Sequence, residues 1–125
     1  MGLLVTLIQL FVAIAMLDVW LIRYNSPGRF RGGEAKTMVE EFQVYGLPDW
    51  LRQVVRVLKL SFGALMVIGI WVPELAVLAG IGLAILMVGA VSMHLKVKDP
   101  LYKALPSFSF LVLSLAVAYY HWPVG

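Results

Sequence analysis

The chain has 125 residues, of which 62% are hydrophobic and 14% charged, and its formal net charge is +3. Soluble domains average about 45–50% apolar and about 25% charged residues, so this composition indicates a membrane protein. The length suits a single domain. The absence of cysteine excludes disulfides, iron–sulfur clusters and Cys-x-x-Cys redox chemistry. The sequence has no basic patch interleaved with aromatic residues, so we expect no nucleic-acid partner.

Four apolar segments are long enough to cross a bilayer, at 3–22, 51–72, 74–95 and 104–122. About 20 helical residues cover the roughly 30 Å of hydrocarbon. Because lipid cannot satisfy backbone polar groups, each span must be helical. The predicted fold is therefore an all-α integral membrane four-helix bundle. The first segment lacks the positively charged start of a signal peptide, so we expect the mature protein to keep it.

The long connection at 23–50 contains a short predicted helix at 34–45, which a Gly-Leu-Pro sequence at 46–48 ends. Its larger apolar side chains fall on one stripe, formed by Met38, Phe42 and Tyr45. The adjacent Glu40 and Glu41 lie off this stripe, and we interpret them as a solvated face. The segment is interpreted as a short interfacial helix between spans one and two, with a lid over a binding site as the alternative.

Lysine and arginine are concentrated in two of the connections. The first of these carries Arg23, Arg29, Arg31, Lys36 and Arg52, and the last carries Lys96, Lys98 and Lys103. The positive-inside rule places these basic loops in the cytoplasm and both termini outside. We therefore expect a protein of the plasma (inner) membrane, with membrane lipid as one partner.

Small residues predict where the third and fourth spans pack. Ala76, Gly80 and Ala84 follow one another at four-residue spacing, and Ser114 and Ala118 are also four apart. Small side chains on one helix face let membrane helices approach closely. We interpret both faces as packing surfaces.

Four ionisable residues form a predicted intramembrane polar cluster: Asp18, Arg56, Lys59 and His94. Counting along the helices places Asp18 and Lys59 in the cytoplasmic half of the membrane, where Asp18 is the predicted counter-ion. One interpretation is structural, with the ion pair setting the helix register. The other is that the cluster binds a polar headgroup, a quinone-like ring or a proton, since charges inside a membrane commonly mark functional sites.

No catalytic signature accompanies this cluster. His94 and His121 lie near opposite membrane faces, so they cannot share a metal ion. The sequence also lacks a glycine-rich phosphate loop and a nucleophile elbow. We expect neither a catalytic residue nor a metal.

Three segments resemble the DoxX-like membrane proteins, over most of 42–118. They are Phe42-Gln43-Val44-Tyr45-Gly46-Leu47-Pro48 before the second span, Val57-Leu58-Lys59-Leu60 with Gly63 within it, and Gly89-Ala90 through His94 to Asp99 and Leu105-Pro106. Lys59 and His94 match the pattern of one branch. The resemblance implies a four-span bundle associated with membrane oxidoreductase complexes, including quinone-linked ones. Related four-helix redox proteins use cysteines, so their chemistry cannot be transferred to this chain.

Our leading interpretation is a non-catalytic integral membrane subunit or assembly partner, associated with other membrane subunits or with itself. The first alternative is a small-molecule binder or carrier that holds a quinone, lipid or proton near Asp18, Lys59 and His94. The second is a membrane oxidoreductase that depends on an added cofactor. We expect no resident cofactor, with a bound lipid or quinone as the alternative.

The predicted orientation can be tested with a reporter that is active only in the cytoplasm. Fused to either terminus, the reporter is expected to be inactive, because the basic loops hold the opposite membrane face in the cytoplasm. The same reporter inserted in the 23–50 loop is the positive control. Activity at a terminus would contradict the orientation.

Overall fold

The computed structural model describes residues 2–22, 24–25 and 32–122. This part of the chain forms helices and no strand: α1 (Gly2–Leu17), α2 (Met38–Tyr45), α3 (Asp49–Ile68), α4 (Pro73–Lys96) and α5 (Leu101–His121). A π-helical segment, Asp18–Ile22, continues α1. The predicted all-α membrane bundle is confirmed. Arg23, Arg29 and Arg31, which contribute to the orientation prediction, lie outside the described residues.

Among the described residues, three helical segments are long and apolar enough to cross a membrane: Gly2–Ile22, α4 and α5. Helix α3 is also 20 residues long, but its first three turns carry Asp49, Arg52, Arg56 and Lys59. It begins at Asp49 rather than at 51 and ends at Ile68 rather than at 72, because Gly69 to Val72 form the turn into Pro73 of α4. A membrane crossing by α3, the second of the four predicted spans, stays a prediction.

Helix α2 is shorter than predicted because Thr37 caps it. The Thr37 hydroxyl accepts a hydrogen bond from the Glu40 backbone N–H at 3.2 Å, which satisfies a donor at the helix start. Gly46 ends the helix with φ of 74°, a left-handed conformation that glycine adopts without strain. The predicted stripe of Met38, Phe42 and Tyr45 is buried, which confirms the orientation of this face.

The small residues of α4 form a packing surface, as predicted, and Gly80 on this surface packs against α5. Ala76, Gly80 and Ala84 are all buried. A Cβ atom at Gly80 would lie 2.6 Å from the Ser114 carbonyl oxygen and 3.0 Å from the Ala118 Cβ. The two backbones therefore meet at a point where only hydrogen fits.

A buried amide joins three helices at the end of the bundle away from the basic loops. The Gln9 Nε2 of α1 donates to the Met66 carbonyl of α3 at 2.9 Å. Its Oε1 accepts from His121 Nε2 of α5 at 3.1 Å. Both polar atoms of Gln9 are thus satisfied inside an apolar core, as buried amides require.

The close approach at Gly80 predicts a stability difference between two alanine variants. Gly80→Ala forces the α5 backbone away, whereas Gly89→Ala places its methyl group where no atom lies within 4 Å. Both substitutions bring the same gain in helix propensity. We expect Gly80→Ala to lose about 1–3 kcal/mol relative to Gly89→Ala in reversible unfolding in one detergent. Equal stability of the two variants would show that the α4–α5 contact accommodates the added methyl group at no cost in free energy.

Candidate functional site

A cavity of about 770 Å³ lies within the bundle, between α1, α3, α4 and α5, with α2 against it. Most lining side chains are apolar, including Met16, Val55, Leu86, Met93 and Phe110. The polar side chains along its wall are Glu41, Tyr45, Lys59, His94, Lys103 and Ser107. This size, with apolar walls and few polar groups, is typical of small-molecule sites.

Helix α2 forms one wall of this cavity through its buried face. The Lys96 Nζ at the end of α4 donates to the Tyr45 carbonyl at 2.8 Å. The Met38 backbone N–H bonds to the Tyr24 carbonyl at 2.9 Å, and the Phe42 ring meets Trp20 edge-on. The segment interpreted as an interfacial connector therefore also encloses the cavity, which is the position that the lid alternative requires.

Lys59 lies on the cavity wall and is 8% exposed. Its Nζ sits 4.8 Å from the centroid of the Trp20 ring, a favourable cation–π position. Within the described part of the chain, Lys59 forms no ion pair with Asp18. The acidic side chain that acts on it electrostatically is Glu41, which lines the same cavity.

The phase of the first helix explains why Asp18 does not reach Lys59. The buried residues of this helix recur every three or four positions, at Val5, Gln9, Val12, Met16 and Trp20. Asp18 falls midway between the last two, which places it on the other side of the helix. Trp20 therefore faces Lys59.

Arg56, also predicted to belong to the cluster, does not line the cavity. Its Nε donates to the Trp20 carbonyl at 3.2 Å, and its guanidinium lies 4.4 Å from the centroid of the Tyr24 ring. Arg56 thus satisfies a carbonyl of the π-helical segment. Of the four predicted residues, Lys59 and His94 lie at the cavity, whereas Asp18 and Arg56 do not.

His94 is 4% exposed and takes part in hydrogen bonds on both sides of its ring. Its Nδ1 lies 2.8 Å from Asp99 Oδ2, and its Nε2 lies 3.4 Å from the Tyr45 hydroxyl oxygen. The Tyr45 hydroxyl donates to Glu41 Oε1 at 2.6 Å. Sequence reasoning missed Glu41 and Tyr45 as polar site residues; their i, i+4 spacing was the available signal.

Asp99 is held by groups from three parts of the chain. Its Oδ1 accepts from the Gly33 backbone N–H at 2.9 Å and lies 3.9 Å from Lys103 Nζ. Lys103 Nζ also donates to the Gly33 carbonyl at 2.5 Å. Burial raises the pKa of Asp99, but the hydrogen bonds from His94 and Gly33 and the charge of Lys103 outweigh it, so the pKa lies below its usual range.

The depressed pKa of Asp99 predicts a pH-dependent contribution to stability. A carboxyl whose pKa is lower in the folded state stabilises the fold above its unfolded pKa and loses this effect as pH falls through the folded value. We expect Asp99→Asn to cost about 1–3 kcal/mol near neutral pH and progressively less below about pH 4. Asp49→Asn, at an exposed carboxyl, is the matched control. A pH-independent difference in unfolding free energy would contradict this.

Comparison with known proteins agrees with the resemblance in the sequence. A family model described as the DoxX-like family matches residues 26–117. Neither the curated proteins nor the solved structures contain a significant match to the chain. The matched range includes all the polar residues of the cavity wall and Asp99. Because the match covers most of the chain, this protein belongs to the DoxX-like family of small membrane proteins.

Proposed function

We propose that this protein binds a lipid-soluble small molecule with a polar head in the cavity between its helices. The observation that carries the proposal is the combination of an apolar cavity of about 770 Å³ with a buried lysine on its wall. Apolar walls suit a hydrophobic body, and a few polar groups suit the orientation of its head. Lipid and quinone both fit this description.

The Lys59 ammonium is the group suited to hold the polar head. An ammonium has three hydrogen-bond donors, and no residue in the described ranges accepts a hydrogen bond from Lys59. The Trp20 ring contacts the Lys59 ammonium as a cation–π partner, not as a hydrogen-bond acceptor. A carbonyl, carboxylate or phosphate oxygen of a ligand would satisfy these donors and offset the cost of burying the charge.

Exposed residues of α4 support entry from the lipid. Ile85 is 67% exposed and yet lines the cavity. Gly89, one turn further along, also lines it and has open space where a Cβ would be. A ligand dissolved in the bilayer could therefore enter beside this face of α4 without crossing the aqueous phase.

The interpretation as a non-catalytic accessory subunit of a larger, quinone-linked membrane complex stays a prediction. Apolar side chains on a helix face suit contact with lipid and contact with a partner helix equally well. The exposed faces therefore do not distinguish a subunit from a solitary protein. A role for an added redox cofactor also stays a prediction. Ligand binding is compatible with both, because the cavity lies inside the bundle.

Fluorescence of Trp20 tests the proposal directly. In a variant with the exposed Trp50, Trp71 and Trp122 replaced by phenylalanine, only the cavity tryptophan remains. A short-chain ubiquinone analogue added to nanodiscs should quench it saturably. Lys59→Met should weaken the apparent affinity about tenfold or more, since a hydrogen bond to a charged group contributes about 1.5–3 kcal/mol.

Lys36→Met is the matched control, because Lys36 is exposed and lies away from the cavity. Its affinity should equal that of the parent. Palmitate, which does not quench tryptophan, distinguishes the ligand classes. If added palmitate relieves the quenching by the quinone, a lipid carboxylate occupies the same cavity. If it does not, the cavity favours the quinone ring. Quenching that rises linearly with quinone concentration, and equally in the parent and in Lys59→Met, would rule out the site.

A further inference from the structure

A continuous line of hydrogen-bonding side chains runs from the loop after α4 along the cavity wall. It begins at Asp99, passes through His94 of α4 and Tyr45 of α2, and ends at Glu41. The successive separations are 2.8 Å, 3.4 Å and 2.6 Å. The line thus crosses from one helix to another.

The directions of these hydrogen bonds define two arrangements with the same number of protons. In the first, His94 is an imidazolium that donates from Nδ1 to Asp99 and from Nε2 to the Tyr45 oxygen, while the Tyr45 hydroxyl donates to the Glu41 carboxylate. In the second, Glu41 is a carboxylic acid that donates to Tyr45, and Tyr45 donates to Nε2 of neutral His94. Asp99 accepts from Nδ1 in both.

We propose that Tyr45 relays a proton between His94 and Glu41, so that Glu41 presents or accepts a proton at the cavity wall. In one direction, the Nε2–H bond of His94 breaks as an O–H bond forms on Tyr45. At the same time, the original Tyr45 O–H bond breaks and an O–H bond forms on Glu41 Oε1. No proton is gained or lost, and no electron is transferred.

Charged side chains from the neighbouring elements lie at both ends of this line. At the His94 end, Asp99 Oδ2 lies 2.8 Å from Nδ1, and Lys103 Nζ of α5 lies 3.9 Å from the other Asp99 oxygen. At the Glu41 end, Lys59 of α3 interacts with Glu41 electrostatically and lines the same cavity. Lys96 donates to the Tyr45 carbonyl in the middle of the line.

The position of Glu41 gives this relay a purpose beyond holding α2 in place. His94 and the Asp99 side chain are each about 4% exposed, whereas Glu41 is partly buried and lies on the cavity wall. A proton on His94 therefore has a hydrogen-bonded route along the cavity wall to Glu41. A ligand bearing a basic oxygen or nitrogen could exchange a proton with Glu41 there.

Nuclear magnetic resonance on the ligand-free, full-length protein in nanodiscs tests the relay. The chain has only two histidines, so ¹⁵N-histidine labelling with a His121→Gln variant assigns His94. Labelling with ¹³C-carboxyl glutamate, with Glu41→Gln and the exposed Glu40→Gln compared, assigns Glu41. As pH is varied, both signals should change over the same pH interval in the wild-type protein.

Tyr45→Phe should abolish this coincidence, because the ring remains but the relaying hydroxyl is gone. Tyr119→Phe, at a residue that is 84% exposed, should preserve it. If Tyr45→Phe does not fold, Glu41→Gln replaces it: the His94 signal should then change over a different pH interval, whereas Glu40→Gln should leave it in place.

Separate pH intervals in the wild-type protein would overturn the relay. A common interval that survives Tyr45→Phe would also overturn it, and a lower melting temperature in that case would assign the hydrogen bonds to fastening α2. No ligand is present in this experiment, so its outcome is independent of the Trp20 quenching test.

Discussion

The contact between the α4 and α5 backbones at Gly80 is the constraint on which the rest of the structure depends. Lipid gives two apolar helices no hydrophobic reason to associate, so close packing must hold them together. At Gly80 the Ser114 carbonyl and the Ala118 methyl group occupy the space that a Cβ would need. Gly89 lies about two and a half turns further along α4, hence on the opposite face, where the space beside it is open. One face of α4 is thus fixed against α5, while the face that carries Gly89 borders the cavity.

Aromatic rings and carbonyl groups compensate the charges that α3 brings into this apolar bundle. Lys59 lies against Trp20, and Arg56 lies over Tyr24 while bonding to the Trp20 carbonyl. Such contacts allow long cationic side chains to lie among apolar groups, with the charged end at a polarisable or polar partner. The end of the first helix therefore accommodates two cations of α3, and only Lys59 reaches the cavity.

The basic loops and α2 bring the polar end of the cavity together. Asp99 lies against His94 because the chain turns back after α4, where Lys98 adopts a positive φ of 58° and the Asp99 N–H bonds to the His94 carbonyl. Gly33 and Lys103 then hold the Asp99 carboxylate from the other side. The site is thus assembled from short contacts between separate elements. Ligand binding at Lys59 and proton transfer to Glu41 would share one cavity, which relates the two proposals physically.

The sequence by itself determined the all-α membrane class, the small-residue packing faces and the buried stripe of α2, because each follows from composition or from the period of a single helix. It also singled out Lys59 and His94, which line the cavity. The tertiary structure alone decided that Glu41 rather than Asp18 lies on the cavity wall with Lys59, and that His94 meets both Tyr45 and Asp99. These pairings depend on the relative phase of separate helices and on where α2 docks. The periodicity of a single helix contains neither the relative phase nor the docking position. It shows which face of a helix is apolar but not which neighbour that face will meet.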